Sequence, residues 1–168
     1  MRSIIFLLTF TLGSLATFGS VATWGSFAVN SQTSNSDASS KTQIISSSAR
    51  RQLLGKHKFQ LHWISWNRWR DFADLTVIER QGRVVIKGRQ QKGGDYLEID
   101  GIASQIEDKQ FTFEGSIITR VSYKNNGNPC RREGAMTFKI VGKRKYWRLQ
   151  EMQSPCDETT DYVDIFLR

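Results

Sequence analysis

The sequence has few of the residues and motifs from which catalytic sites are built. It contains two histidines and two cysteines, and it has no G-x-S-x-G, H-E-x-x-H, P-loop or C-x-x-C pattern. His57 and His62 lie five residues apart on one predicted strand and therefore face opposite sides of it, which excludes a shared metal site or a dyad. We predict no catalytic residue, metal or cofactor, although an enzyme that uses His57 stays open as an alternative.

Helical periodicity is also scarce. It is confined to residues 66–72, where large aromatic side chains recur at every third position. Elsewhere apolar and polar residues alternate in eight short segments, beginning with residues 57–65. Eight consecutive strands with short connections predict an all-β fold, an eight-stranded antiparallel up-and-down barrel, with a flattened β-sandwich as the alternative.

Glycines indicate where this sheet turns and bends. The pair Gln81-Gly82 predicts a hairpin turn that places Val77 opposite Ile86. Two long strands carry similar stretches, LEIDG ending at Gly101 and FTFEG ending at Gly115. Because glycine within a strand marks a tight bend, we predict matching bends in neighbouring strands.

The two cysteines delimit another hairpin. Gly142-Lys143 suits a two-residue turn, and folding there places Phe138 opposite Trp147 and brings Cys130 near Cys156. We predict a disulfide between them, which would stabilise the fold by about 3 kcal/mol in the chain-entropy model. An even cysteine count of this kind is typical of exported proteins.

The N-terminal region has the pattern of an export signal. Residues 1–28 combine one early positive charge, an apolar run and small residues, which predicts a secretory signal peptide. Residues 29–50 are rich in serine and predict a flexible linker, so the barrel domain would span residues 51–168. The predicted location is secreted or periplasmic, with anchoring by an uncleaved N-terminal segment as the alternative.

Aromatic residues suggest a ligand site. Phe111 and four other aromatic residues have inward parity and would either line a pocket or fill the barrel, and the four assigned to the pocket are Trp63, Phe113, Phe138 and Trp147. Three more lie outside the regular strands and would cover the barrel mouth as a plug, a gate or a sugar-stacking surface: Trp66, Trp69 and Phe72.

Basic residues suggest a second kind of site. The chain has 24 Lys and Arg against 16 Asp and Glu, a formal net charge of +8. A basic patch is predicted along the second hairpin, comprising Arg131, Arg132, Lys139, Lys143, Arg144, Lys145 and Arg148. It would meet an anionic surface or an acidic polysaccharide, or it would simply be a solvated face. Export argues against nucleic acid.

One family resemblance joins these observations. Leu53-Leu54-Gly55-Lys56 stands just before the first of eight up-and-down strands, and an aromatic loop follows that strand. This arrangement resembles the lipocalin or calycin superfamily, although His57 stands where that family has tryptophan. The resemblance implies a β-barrel that binds small apolar molecules.

Three functions follow as predictions. The first is an exported, monomeric, non-catalytic protein that holds a small apolar or amphipathic ligand inside its barrel. The second is a filled barrel that acts as an interaction module for an anionic partner through the basic hairpin. The third is a small enzyme that uses His57. Salt dependence of binding separates the first two.

Overall fold

The computed structural model describes residues 41–66 and 69–168. The predicted signal peptide and residues 29–40 of the predicted linker lie outside the described residues, as does the side chain of Trp69. The elements, in chain order, are β1 (Gln43–Ile44), α1 (Ser47–Leu53), β2 (Gly55–Leu61), α2 (His62–Ser65), a 3₁₀ turn (Trp69–Asp71), β3 (Ala73–Arg80), β4 (Arg83–Lys92), β5 (Asp95–Ile106), β6 (Gln110–Arg120), a second 3₁₀ turn (Asn125–Gly127), β7 (Cys130–Lys139), β8 (Tyr146–Leu149) and β9 (Val163–Phe166).

Strands β2 to β9 form a closed, antiparallel, up-and-down barrel. Each strand pairs with the next along the chain, and β9 pairs with β2 to close the sheet. Strand β1 adds a short parallel pairing to β5. The predicted barrel is therefore confirmed, since a flattened sandwich would leave the first and last strands unpaired.

The first predicted hairpin is confirmed residue by residue. In the β3–β4 ladder Val77 pairs with Ile86 and Leu75 pairs with Gly88. Gln81 and Gly82 both have positive φ, which fits a turn between twisted strands. Local turn chemistry and alternation agree here, and they fix the register.

The two glycines predicted to mark bends do lie side by side in neighbouring strands, while the bends themselves stay a prediction. Gly101 of β5 pairs directly with Gly115 of β6, and Gly115 pairs in turn with Gly134 of β7. A Cβ atom at Gly101 would lie 2.6 Å from the Phe113 ring and closer still to the carbonyl oxygen of Glu114. We call the pair Gly101 and Gly115 the glycine corner, because a side chain at either position would overlap the facing backbone and the Phe113 ring.

The predicted register of the second hairpin is wrong by two residues. Phe138 pairs with Leu149, whereas Trp147 pairs with Ile165 of β9. The intervening residues leave the ladder because their backbone groups bond elsewhere: the Ile140 N–H donates to the carbonyl of Lys109, and the carbonyl of Lys145 accepts from the Leu167 N–H, both at 2.8 Å. The disulfide between Cys130 and Cys156 is present.

Two boundaries differ from those predicted. Residues 41–50, assigned to the linker, instead contribute β1 and most of α1, whose N-terminus is capped by the Ser46 side chain. Ala49 and Leu53 of α1 are buried in the core. The first barrel strand also ends at Leu61 and not at residue 65, because residues 62–65 form α2.

Because the strands alternate in direction, their connections gather at two opposite ends of the barrel. The end that carries α1, which we call the basic end, consists of residues 41–54, 81–82, 107–109, 140–145 and 167–168. The opposite end, which we call the aromatic end, consists of residues 62–66, 69–72, 93–94, 121–129 and 150–162.

Candidate functional site

The barrel interior is packed with side chains at the positions predicted to line a cavity. Phe113, Phe138 and Trp147 are fully buried. The Phe138 ring stacks on Phe111 with 5.1 Å between centroids, and Trp147 meets the same Phe111 ring edge-on at 5.9 Å. Aromatic contacts of this geometry are those of a close-packed core.

The other residues of the predicted ligand site lie elsewhere. Trp63 is half-buried on α2 at the aromatic end, where its Nε1 donates to Asp161 at 3.0 Å. Its ring stacks against Trp66, which is 69% exposed. Phe72 stacks on Phe166 at 4.9 Å, on the outside of β9. The predicted set is thus divided between the core, the aromatic end and the outer wall.

His57 is a buried structural residue. Its Nδ1 lies 2.9 Å from the carbonyl oxygen of Phe166, and its Nε2 lies 2.7 Å from that of Leu53. Both ring nitrogens therefore have backbone partners, and the side chain connects α1 to β9. This geometry leaves neither nitrogen available to a substrate.

Two arginines of the predicted basic patch are neutralised by buried carboxylates. Arg132 points inward from β7, and its Nη2 lies 2.8 Å from Asp161. Its Nε and Nη1 are buried and have no hydrogen-bond partner among the described residues. Arg148 makes two hydrogen bonds of 2.7 Å to the carboxylate of Asp164. Neither charge is presented freely to a partner.

Sequence reasoning missed the cluster around Asp164. This aspartate lies on the outer face of β9 but is only 1% exposed, because Arg148 of β8 and His62 of α2 cover it. The His62 Nε2 lies 2.8 Å from Asp164 Oδ2. The guanidinium of Arg148 also lies against the Tyr162 ring, at 4.5 Å. Alternation alone would have placed all these side chains in solvent.

The cluster sets the charge state of its carboxylate. Burial alone would raise the pKa of Asp164, but hydrogen bonds from Arg148 and His62 outweigh it, so that the pKa lies below its ordinary value. The same pairing raises the pKa of Arg148. An ionised carboxylate and a guanidinium therefore persist on the outer face of the barrel wall, covered by neighbouring side chains.

A recess of about 230 Å³ opens beside this cluster on the outer wall. Its lining combines aromatic walls with polar groups: Gln60, His62, Phe72, Tyr146, Arg148, Asp164 and Phe166. The mixture of ring faces and hydrogen-bonding groups is suited to a small amphipathic molecule.

The basic end carries the strongest charge of the described surface. Its segments hold eight basic residues and two acidic ones, Glu107 and Asp108, a formal charge of +6. The basic residues are Lys41, Arg50, Arg51, Lys109, Lys143, Arg144, Lys145 and Arg168. All except Arg50, which pairs with Glu79, are exposed, and none of these seven forms an ion pair with a described residue. The described segments of the aromatic end have two basic and five acidic residues.

Part of the predicted basic patch therefore belongs to the basic end. Lys143, Arg144 and Lys145 lie at the basic end, and exposed Lys139 ends the adjoining strand. Arg131 is exposed but pairs with Glu133 at 2.5 Å. Basic residues from distant parts of the sequence join them there, since barrel closure brings Leu167 beside Lys145 and Arg168 beside Arg51 of α1.

The described residues 41–66 and 69–168 contain no helix that is long and apolar enough to cross a lipid bilayer. The disulfide indicates an oxidising, extracytoplasmic compartment.

Comparison with known proteins identifies the family. No solved structure matches the chain. The protein named "Uncharacterized protein PM1083" from Pasteurella multocida (strain Pm70) is 43% identical over 115 residues, which cover 68% of this chain and 73% of that protein. The family model for the PM1083 family matches residues 41–167, nearly the whole described region. The lipocalin resemblance stays a prediction, and the chain belongs to the PM1083 family.

Proposed function

We propose that this protein is an exported, non-catalytic interaction module that binds an anionic partner through the basic end of a filled β-barrel. The observation that carries the proposal is the charge of that end. Seven exposed basic side chains without ion-pair partners among the described residues converge there from four separate segments. Charges of one sign gathered on one surface attract an oppositely charged partner and speed its encounter.

The packed interior supports an external binding surface. Phe111, Phe113, Phe138 and Trp147 fill the space that a ligand inside the barrel would need. Admitting an apolar molecule there would require these rings to move out of a close-packed core. A surface that is already exposed and charged needs no such rearrangement.

The test is binding to heparin, used as a defined anionic polysaccharide, at several salt concentrations. Replacing Lys143, Arg144 and Lys145 together by glutamate should weaken retention by more than about tenfold, because three attractive charges become repulsive. A control with Arg70, Lys87 and Lys92 replaced by glutamate makes the same change of net charge away from the basic end. Equal losses in both triple variants would refute a localised site.

A second function is favoured by the recess on the outer wall. We infer that a small amphipathic ligand, if the protein binds one, would lie against Phe72, Phe166 and Tyr146 and not inside the barrel. Phe72→Ala removes one wall and should lower uptake of 8-anilinonaphthalene-1-sulfonate, measured by fluorescence. Phe113→Leu in the core is the matched comparison, and an effect there alone would place the ligand inside.

A further inference from the structure

We propose that the anionic partner is the surface of a lipid bilayer, on which the basic end docks with Ile45 and Val141 entering the interfacial region. This inference rests on the proposed function, because it names the partner of the same basic end. It also accounts for the position of the exposed aliphatic side chains, which the charge of the basic end does not explain.

The exposed large hydrophobic side chains of the described residues divide by type between the two ends. The three aliphatic ones are at the basic end: Ile44 is 38% exposed, Ile45 is 60% exposed and Val141 is 45% exposed. The three aromatic ones, Trp66, Tyr123 and Tyr162, are at the aromatic end. Aliphatic side chains among basic ones are the composition of surfaces that bind anionic membranes.

Backbone hydrogen bonds join these residues into one continuous rim. The Ile45 N–H donates to the carbonyl of Ile106 at 2.9 Å, which places the β1–α1 connection beside the 107–109 loop. The Ile140 N–H donates to Lys109 at 2.8 Å, so the same loop also adjoins the 140–145 loop that carries Val141. Ile45, Lys109 and Val141 thus lie on neighbouring segments.

The 140–145 loop has the form of an inserting tip. Val141 and Arg144 are the ends of a turn, with the Arg144 N–H donating to the Val141 carbonyl at 3.4 Å and Gly142 at φ +62° between them. An aliphatic side chain therefore projects beside three consecutive basic residues. Apolar side chains gain free energy in the interfacial region, while lysine and arginine remain at the level of the anionic head groups.

A soluble polyanion would explain the charges but not the aliphatic side chains. Binding to a polysaccharide needs basic residues and hydrogen-bond donors, and exposed Ile45 and Val141 contribute to neither. A bilayer uses both kinds of group.

The experiment measures binding of the full chain to vesicles of phosphatidylcholine alone and of phosphatidylcholine with about 30% phosphatidylglycerol. Wild-type protein should bind only the anionic vesicles, and the Lys143, Arg144 and Lys145 glutamate variant should bind more than about 100-fold more weakly. Ile45→Ser with Val141→Ser keeps the charge and should weaken vesicle binding about tenfold. It should leave retention on heparin unchanged.

Trp66→Ser with Tyr123→Ser is the matched control, because it removes exposed apolar surface from the aromatic end. All variants share residues 1–40, so a second measurement is needed that reports directly which end of the barrel meets the bilayer. Spin-labelled lipid head groups should broaden the NMR amide signals of Ile45, Lys109 and Val141, and leave those of Trp66 and Tyr123 sharp.

The outcomes separate the two proposals. Salt-dependent retention on heparin without vesicle binding would overturn the membrane inference and leave the proposed function intact. Vesicle binding that is unaffected by the aliphatic variant, or broadening at the aromatic end, would also overturn the membrane inference. Absence of binding to both heparin and anionic vesicles would overturn both proposals.

Discussion

Breaking the Cys130–Cys156 disulfide should lower the stability of the barrel substantially. The two cysteines are 26 residues apart, so the chain-entropy model gives a stabilisation of about 3.5 kcal/mol. For a domain of this size that corresponds to a fall in melting temperature of about 10–15 °C. The bond matters because β7 and β8 share only two residue pairs, and the disulfide fastens the 150–156 segment to the start of β7.

The assay is thermal unfolding of wild-type protein and of a Cys130→Ala, Cys156→Ala variant, each with and without a phosphine reductant. The variant and the reduced wild-type protein should unfold at the same lower temperature, and the reductant should not affect the variant. Hydrogen exchange should increase first in residues 150–156. Equal melting temperatures for oxidised wild type and the variant would refute the argument, because the cross-link would then add nothing to the hydrogen bonds of this segment.

Substitutions at three other positions have expected outcomes. Gly101→Ala should destabilise the barrel by about 1–3 kcal/mol in chemical denaturation, since its Cβ would overlap the Glu114 carbonyl; an unchanged midpoint would contradict the glycine corner. Gly142→Val should cost more than Lys143→Val, because φ at Gly142 is +62° and a β-branched residue resists it; equal costs would contradict the turn geometry. Folding lowers the pKa of Asp164. Its carboxylate therefore contributes stability that is fully present above the unfolded pKa of about 3.9 and is lost as the pH falls through the folded pKa. We therefore expect the denaturation midpoint of Asp164→Asn to fall less steeply than that of the wild type below about pH 4, in a series measured from about pH 6 to about pH 2.5. If the midpoints of the two proteins fall in parallel, the cluster around Asp164 does not contribute this stability.

The parts of the fold that depend on local pattern could be predicted from the sequence. Alternation identified the barrel strands, and Gln81-Gly82 fixed the β3–β4 register because the turn and the strands alone determine it. The similar stretches LEIDG and FTFEG indicated matching positions in two neighbouring strands, and Gly101 does pair with Gly115. The disulfide followed from the cysteine count and the compartment.

The parts that depend on distant contacts could not be predicted. The 140–145 loop is shaped by hydrogen bonds to Lys109 and Leu167, so the turn residues alone gave a register that was wrong by two. Arg148 looked like a surface charge because its partner, Asp164, lies on another strand. Barrel closure also assembled the basic end from segments that lie far apart in the chain, which no window of sequence displays.

The candidate ligand residues illustrate the same limit. Inward parity placed Phe113, Phe138 and Trp147 correctly in the interior, but alternation is identical in hollow and filled barrels. Trp63 was assigned to a strand that had already ended, because the helical α2 begins at His62. Only the three-dimensional packing shows whether inward aromatic side chains line a cavity or fill the interior.

The glycine corner has a consequence for how the interior is filled. Cβ atoms at Gly101 and Gly115 would lie within 3 Å of the Phe113 ring, so this ring occupies the space that side chains at the two positions would take. The ring therefore lies directly against the backbone of two paired strands. The absence of side chains at two positions of the wall, and not only the size of the inward side chains, determines how little room the interior leaves.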